Sequence, residues 1–261
     1  MYSITAAAAW GILTQAARQL DAPLPQELTD AHAELLALQA KLPERRPDNT
    51  ALAAALVAAM EAGRDPLTDK AVNRELAAKQ LTALEPSLMI QAHIDQQVAA
   101  LLFRHADTII DTWRPLIDEA NEALTEYRAV CPGVDLSDTN TVSSLRVQQM
   151  TPWGRAREAV MTLDRIAQAW TTMCTAAGLA RIDVSARPLI FADLTLDQLD
   201  SLGDRPDPTA VSGLDVTLNL ASPDEYQRRT TTLDSDRQRR RQADDQATAR
   251  ADRRALGNVA V

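Results

Sequence analysis

The sequence is short of the residues from which most active sites are built. It holds 3 histidines, 2 cysteines and 8 glycines, and only 3% of its 261 residues are aromatic. Each shortage removes a class of chemistry. No two glycines stand at the spacing of a GxG turn or a phosphate-cradling loop, and GxSxG, CxxC and HExxH are absent. The residues three positions before His32, His93 and His105 are Thr29, Ile90 and Leu102, so the Glu-x-x-His of di-iron bundles is missing as well. Asp118, Glu122 and Glu126 form an acidic stripe at i,i+4 spacing. With no histidine on it, that stripe reads as a solvated helix face and not as a metal site. No catalytic residue, cofactor, metal or small-molecule ligand is therefore assigned, and an enzyme is the minority expectation.

Targeting signals are also lacking. Residues 1–20 carry no basic residue before Arg18, and no apolar run approaches the length of a membrane span. If the long helix described next folds back on its successor, Cys131 and Cys174 lie several turns apart, beyond disulfide reach. Free thiols suit a reducing compartment. The expectation is a cytoplasmic or intracellular (or virion) protein with no membrane partner. Of the 27 basic residues only Lys41, Lys70 and Lys79 are lysine. That bias looks like genomic base composition, which inflates alanine too, so periodicity is the safer guide to helix.

Periodicity is what the sequence has in quantity. Pro86 cannot lie inside a helix and Ser87 can cap one. From there Ile90, Ile94, Val98, Leu101, His105, Ile109, Trp113, Leu116, Ala120, Leu124, Tyr127 and Val130 recur at a mean spacing of about 3.6, the period of a straight helix and not of a coiled-coil seam. Leu102, Ile110 and Ile117 widen the stripe into a face for more than one partner helix. A rod of roughly 65 Å follows from the rise per residue, kinked at Pro115 and ended by Cys131-Pro132-Gly133. His105 on this line reads as a hydrogen-bonded core residue.

Four shorter patterns precede the long helix. Residues 3–20 predict a helix capped by Ser3 with Ile4, Ala8, Trp10, Ile12 and Leu20 partly buried. A helix near 27–42 follows, then two more at 51–62 and from Asp69 toward Leu84. The last pair has the loose geometry of a DNA-reading helix–turn–helix. Its charge is nearly balanced, though, which favours an αα-hairpin packed on the long helix.

Beyond Gly133 a polar connection with a short helix around 141–150 leads to a second long helix starting at Thr151-Pro152-Trp153 and closed by Gly178. Trp153, Ala156, Val160, Leu163, Ala167, Trp170, Cys174 and Ala177 make it the antiparallel partner of the long helix. The pattern then changes. Ile182 with Val184, the run Leu189–Phe191, and Leu214, Val216, Leu218 and Leu220 alternating with polar residues read as short strands. Their edges are candidate contact sites for another subunit. Thr195 and Gln198 form a capping box between them.

Ser222-Pro223-Asp224-Glu225 opens a last helix, with an N-cap serine, Pro at the first position and Glu completing the box. Nearly everything after it is polar, so this helix is expected to project or lie along a neighbour. Asp224–Arg228, Glu225–Arg229 and Asp236–Arg240 stand as i,i+4 pairs. Arg237, Arg239, Arg240 and Arg241 are the one basic cluster. The net charge is −9, and residues 222–261 hold nine Arg and seven acids. The body is therefore acidic and does not itself attract nucleic acid.

Fold and function follow. The chain is expected to be mainly α: an elongated helical bundle with a long antiparallel hairpin, a small α/β element and a projecting C-terminal helix. Its segments are 1–86, 87–180, 181–221 and 222–261. The favoured role is a non-enzymatic structural or assembly protein that contacts itself or a larger protein complex. Viral shells and their scaffolds use such parts, which is an architectural analogy only. The rivals are a nucleic-acid-associated protein acting through the arginine-rich arm, and a bundle enzyme or small-molecule binder with a pocket near His105 and Trp113.

Overall fold

The computed structural model describes residues 5–40, 49–83, 86–134, 136, 143, 145–203 and 206–257. The chain is mainly α, with 79% of it helical and no strand among the described residues. In order come α1 (Ala6–Gln19), α2 (Gln26–Ala40), α3 (Asn49–Glu61), α4 (Lys70–Ala83), α5 (Pro86–Val130), α6 (Val147–Ala176), α7 (Leu196–Ser201) and α8 (Pro223–Gly257). Two 3-10 helices, Val184–Ile190 and Pro208–Gly213, flank α7. The chain divides into two compact units, Gln26–Leu101 and Met1–Pro25 together with Leu102–Val261, so α5 contributes residues to both.

Helix ends follow local chemistry. Thr5 caps α1, its hydroxyl accepting from the Ala8 amide at 3.3 Å; Ser3 lies outside the described residues. Asp69 caps α4 through the amides of Ala71 and Val72, at 2.8 and 3.3 Å. Thr195 and Gln198 close their box on α7 as expected, and so do Ser222 and Glu225 on α8, at 2.8 and 3.2 Å. Gly178, with φ +66, ends α6 in the left-handed conformation that side chains avoid, and Leu179 donates back to the Cys174 carbonyl. Two starts differ from expectation. α5 begins at Pro86 itself, tolerated at a first helical position where no N–H is needed, so Ser87 lies inside the helix and not before it. α6 begins at Val147 and runs through Pro152. That proline sits near the helix start, so it forfeits only the bond to the Gln148 carbonyl. Residues 141, 142 and 144 of the short helix expected there are outside the described residues.

In the larger unit the core is centred on α5 and α6. The buried line on α5 is Leu102, Ala106, Ile109, Ile110, Trp113, Ile117, Ala120, Ala123, Leu124 and Tyr127. Leu101, His105 and Leu116, placed on the main stripe by spacing, are only half-buried. The second row is thus the centre of the face. α6 buries Trp153, Ala156, Leu163, Ile166, Ala167, Trp170, Met173 and Cys174. Contacts between the two helices pair falling numbers on α5 with rising numbers on α6. Gln149 donates to the Val130 carbonyl at 3.2 Å, Arg155 meets Glu126 at 2.5 Å, and a groove lies between Leu116–Ala123 and Arg155–Thr162. α1 packs on α6 through Ala6, Ala9, Leu13, Ala16 and Ala17. Its inner face is turned from the expected one, for Ala8 is exposed and Ile12 is 38% exposed. Small alanines let the two helix backbones approach closely, and that outweighs burying Ile12.

The expected strands are the main correction. Val184–Ile190 is a 3-10 helix begun by Asp183, whose carboxylate accepts from the Ser185 amide at 3.0 Å. Pro188 lies inside it and has no N–H to give a ladder. The stretch 214–222 forms no ladder either, yet its bonds alternate in direction as a strand's do. Leu218 exchanges both its backbone groups with the side-chain amide of Asn121 on α5, at 2.7 and 2.9 Å. Asn219 and Ala221 donate the other way, to the carbonyls of Phe191 and Ile190, at 2.6 and 2.8 Å. The Ala221 carbonyl accepts from the indole of Trp170 at 2.9 Å. Alternation in the sequence correctly marked a segment with two faces. Side chains and the end of a 3-10 helix, not strands, satisfy its backbone.

The smaller unit holds α2, α3, α4 and the start of α5. α3 and α4 pack on each other after a turn at Gly63, whose φ is +64. Its buried residues include Leu28, His32, Ala59, Val72, Ile94 and Val98, with the carboxylate of Asp69 held by Arg64 at 2.7 Å. Burial lowers the pKa of His32, favouring the neutral ring.

Candidate interaction surfaces

Three regions bear on contact with other molecules: the 214–220 segment, the arginines of α8, and the apolar surface of the smaller unit. The first is turned inward. Leu218 and Leu220 are buried and Leu214 and Val216 half-buried. The polar residues between them, Asp215, Thr217 and Asn219, are exposed. Through Asn121, Phe191, Ile190 and Trp170 the chain itself occupies both backbone groups of Leu218, the amides of Asn219 and Ala221 and the Ala221 carbonyl.

α8 does not stand clear of the body along its whole length, which corrects the expectation of a projecting helix for its first half. Tyr226 and Leu233, two turns apart, are buried; the Tyr226 ring lies 5.1 Å from that of Trp170, tilted by 57°. Burial holds the Tyr226 hydroxyl up to about 12. Arg229 turns inward and donates to the carbonyls of Leu189 and Asn219, at 2.7 and 3.3 Å. Burial lowers its pKa, with Glu225 acting in opposition. Polar side chains thus dock the helix, their aliphatic stems covering apolar neighbours. From residue 238 to 250 every residue is exposed.

The arginine cluster is distributed over this boundary. Arg237 pairs with Asp234 at 3.5 Å and reaches Ser185 at 3.4 Å. Arg239 pairs with Asp236, and Arg240 with Asp197 and Asp200 of α7. Arg241 is exposed. The expected i,i+4 pairs are replaced by i,i+3 contacts, Glu225–Arg228 at 3.8 Å among them. Arg229 and Arg240, the expected partners of Glu225 and Asp236, are directed to other groups. Asp197 and Asp200 raise the pKa of Arg240. Three of the four arginines therefore spend their charge within the chain, and the cluster is a weaker phosphate surface than its composition implies.

The third region was not singled out by sequence. α3 has no charged residue before Glu61 and is apolar on every side. A helix of that kind is ordinarily enclosed, yet among its described side chains only Ala59 is fully buried, while Val57 and Met60 are 53% and 67% exposed. Leu36, Leu38, Leu67, Leu76, Leu88 and Met89 of the same unit are exposed too. Among the described residues this unit exposes eight large apolar side chains and fully buries four. The signal was present in the run from Ala51 to Met60, which lacks any polar face.

The groups sought for chemistry are dispersed. His93 is exposed, His105 half-buried and Trp113 fully buried. The cavities of about 630 and 490 Å³ are lined by other residues. Cys131 and Cys174 are free and buried, and burial raises both thiols. Among the described residues no three metal-ligating groups cluster, and no helix is long and apolar enough to cross a membrane. Compared with family models, curated proteins and solved structures, the chain matches none.

Proposed function

We propose that the chain is a non-enzymatic structural or assembly protein that associates with copies of itself or docks into a larger protein complex, as a scaffold- or shell-type component does. The observation that carries the reading is α3: a helix with no polar side, of whose described side chains only Ala59 is fully buried. Apolar surface in water is unfavourable at about 25 cal/mol per Å², and contiguous exposed patches on soluble proteins mark contact sites. The finer architecture we propose is a bundle around a long antiparallel hairpin of α5 and α6, with the exposed end of α8 as an accessory contact. The buried free thiols Cys131 and Cys174 suit a reducing, intracellular setting.

Light scattering of the full-length protein tests this, beside the double variant Val57→Glu, Met60→Glu. Both positions are exposed, so the substitutions leave the core untouched. The wild type is expected to associate with rising concentration and the variant to stay monomeric with unchanged helix content. A wild type that remains a monodisperse monomer and binds no protein partner sinks the reading.

A further inference from the structure

We infer that the cleft enclosed by the C-terminal end of α5, the middle of α6 and the Pro208–Gly213 helix binds a small oxyanion-bearing molecule, a phosphate or carboxylate compound, through Arg128 and Arg157. The inference is independent of the assembly reading. The cleft has a volume of about 630 Å³, within the range of small-molecule sites.

Its described lining carries two basic groups. Although acids outnumber bases by 36 to 27, the described residues lining the cleft include two arginines and no aspartate or glutamate. Among the described residues Arg157 has no carboxylate partner; its guanidinium lies 5.3 Å over the ring of Trp153, and its Nη1 is buried without an acceptor there. Among the described residues Arg128 leaves its Nε buried without an acceptor, and its acidic contact is Asp215 at 3.3 Å, whose side chain is 98% exposed. Arg187 likewise leaves its Nε buried without an acceptor, whereas two arginines of α8 are paired. Arg229 reaches two carbonyls, and Arg240 two carboxylates.

A buried guanidinium N–H without an acceptor is unfavourable. An oxyanion supplies what the chain withholds, and the planar fork of arginine matches phosphate and carboxylate alike. Stacking on Trp153 restrains the plane of Arg157 before any ligand arrives. The facing wall is held as well. Gly133, at φ +77, turns the chain after α5, and the Tyr127 hydroxyl donates to the Val134 carbonyl. Thr209 and Ser212 add hydroxyls on the third side.

Calorimetric titration and thermal unfolding of the full-length protein with inorganic phosphate, and separately with succinate, test the site against sodium chloride at matched ionic strength. At least one of the two probes is expected to bind and raise the melting temperature, and the stronger one identifies the ligand chemistry. Affinity should fall about tenfold or more in Arg157→Gln and in Arg128→Gln, and less in Arg157→Lys, which keeps the charge but not the fork. Arg104→Gln, an exposed arginine elsewhere on α5, should bind as the wild type does. No effect of either probe beyond matched chloride overturns the inference, as does an equal loss in Arg104→Gln. Should Arg157→Gln fail to fold, the wild-type and Arg128→Gln titrations decide the matter.

Discussion

Replacing Asn121 by leucine would remove the side chain that pairs both backbone groups of Leu218, while keeping its branched outline. Each lost hydrogen bond contributes about 1 kcal/mol net, and leaving a buried amide and carbonyl unpaired adds about 1–3 kcal/mol for each. Asn121 is half-buried and Leu218 almost wholly so, so water relieves part of that penalty. The expected loss is about 2–4 kcal/mol. Asn219→Ala is the internal control: its side chain is exposed and its backbone bonds are retained, so it should change stability by less than about 0.5 kcal/mol. Urea unfolding followed by tryptophan fluorescence reads both, as a shift in midpoint at constant slope, and hydrogen exchange at the Leu218 amide localises the effect. If Asn121→Leu is as neutral as the control, the segment is held by burial of Leu218 and Leu220 alone, and the account of its backbone given above is wrong.

Further outcomes follow from the same contacts. Tyr226→Ala empties a fully buried site against Trp170 and should cost about 3–5 kcal/mol in urea unfolding; a loss below about 1 kcal/mol would mean that α8 is not docked. The Ser222 amide, and then the nearby arginines, hold the Glu225 carboxyl below its ordinary value of 4.5 in the folded chain. Its contribution is therefore present above that value and lost as pH falls through the lower folded one. Glu225→Gln should remove that part of the acid sensitivity in midpoint-against-pH curves. Arg240→Gln breaks exposed pairs with Asp197 and Asp200, so any destabilisation should fade in high salt; an effect that persists there points to packing. Cys174, buried and with a raised thiol, should resist a thiol reagent in native Cys131→Ser protein and react only after denaturant is added.

The division between what was legible in the chain and what was not runs along sequence distance. Helix content, the ends of α4, α7 and α8, and the stop at Gly178 rest on interactions within a few residues, and such terms are written locally. The long helix was readable because a repeat of 3.6 needs no partner to be seen. Its inner face was only approximately readable, because which row of a broad stripe is deepest depends on what packs against it. That is why Leu102, Ile110 and Ile117 lie at the centre while Leu101 and Leu116 lie at its margin.

Tertiary structure decided the rest, for the same reason in each case. An alternating segment needs acceptors and donors on both sides, and the sequence of 214–222 does not say who provides them. Asn121 and Trp170 do, from 97 and 51 positions away. A polar helix needs a surface to lie on, and only the folded body offers Leu189 to Arg229 and two aspartates to Arg240. Arg128 and Arg157 share a cleft only because α5 and α6 bring them together. Local chemistry chose the helices; long-range contacts decided which groups their side chains meet.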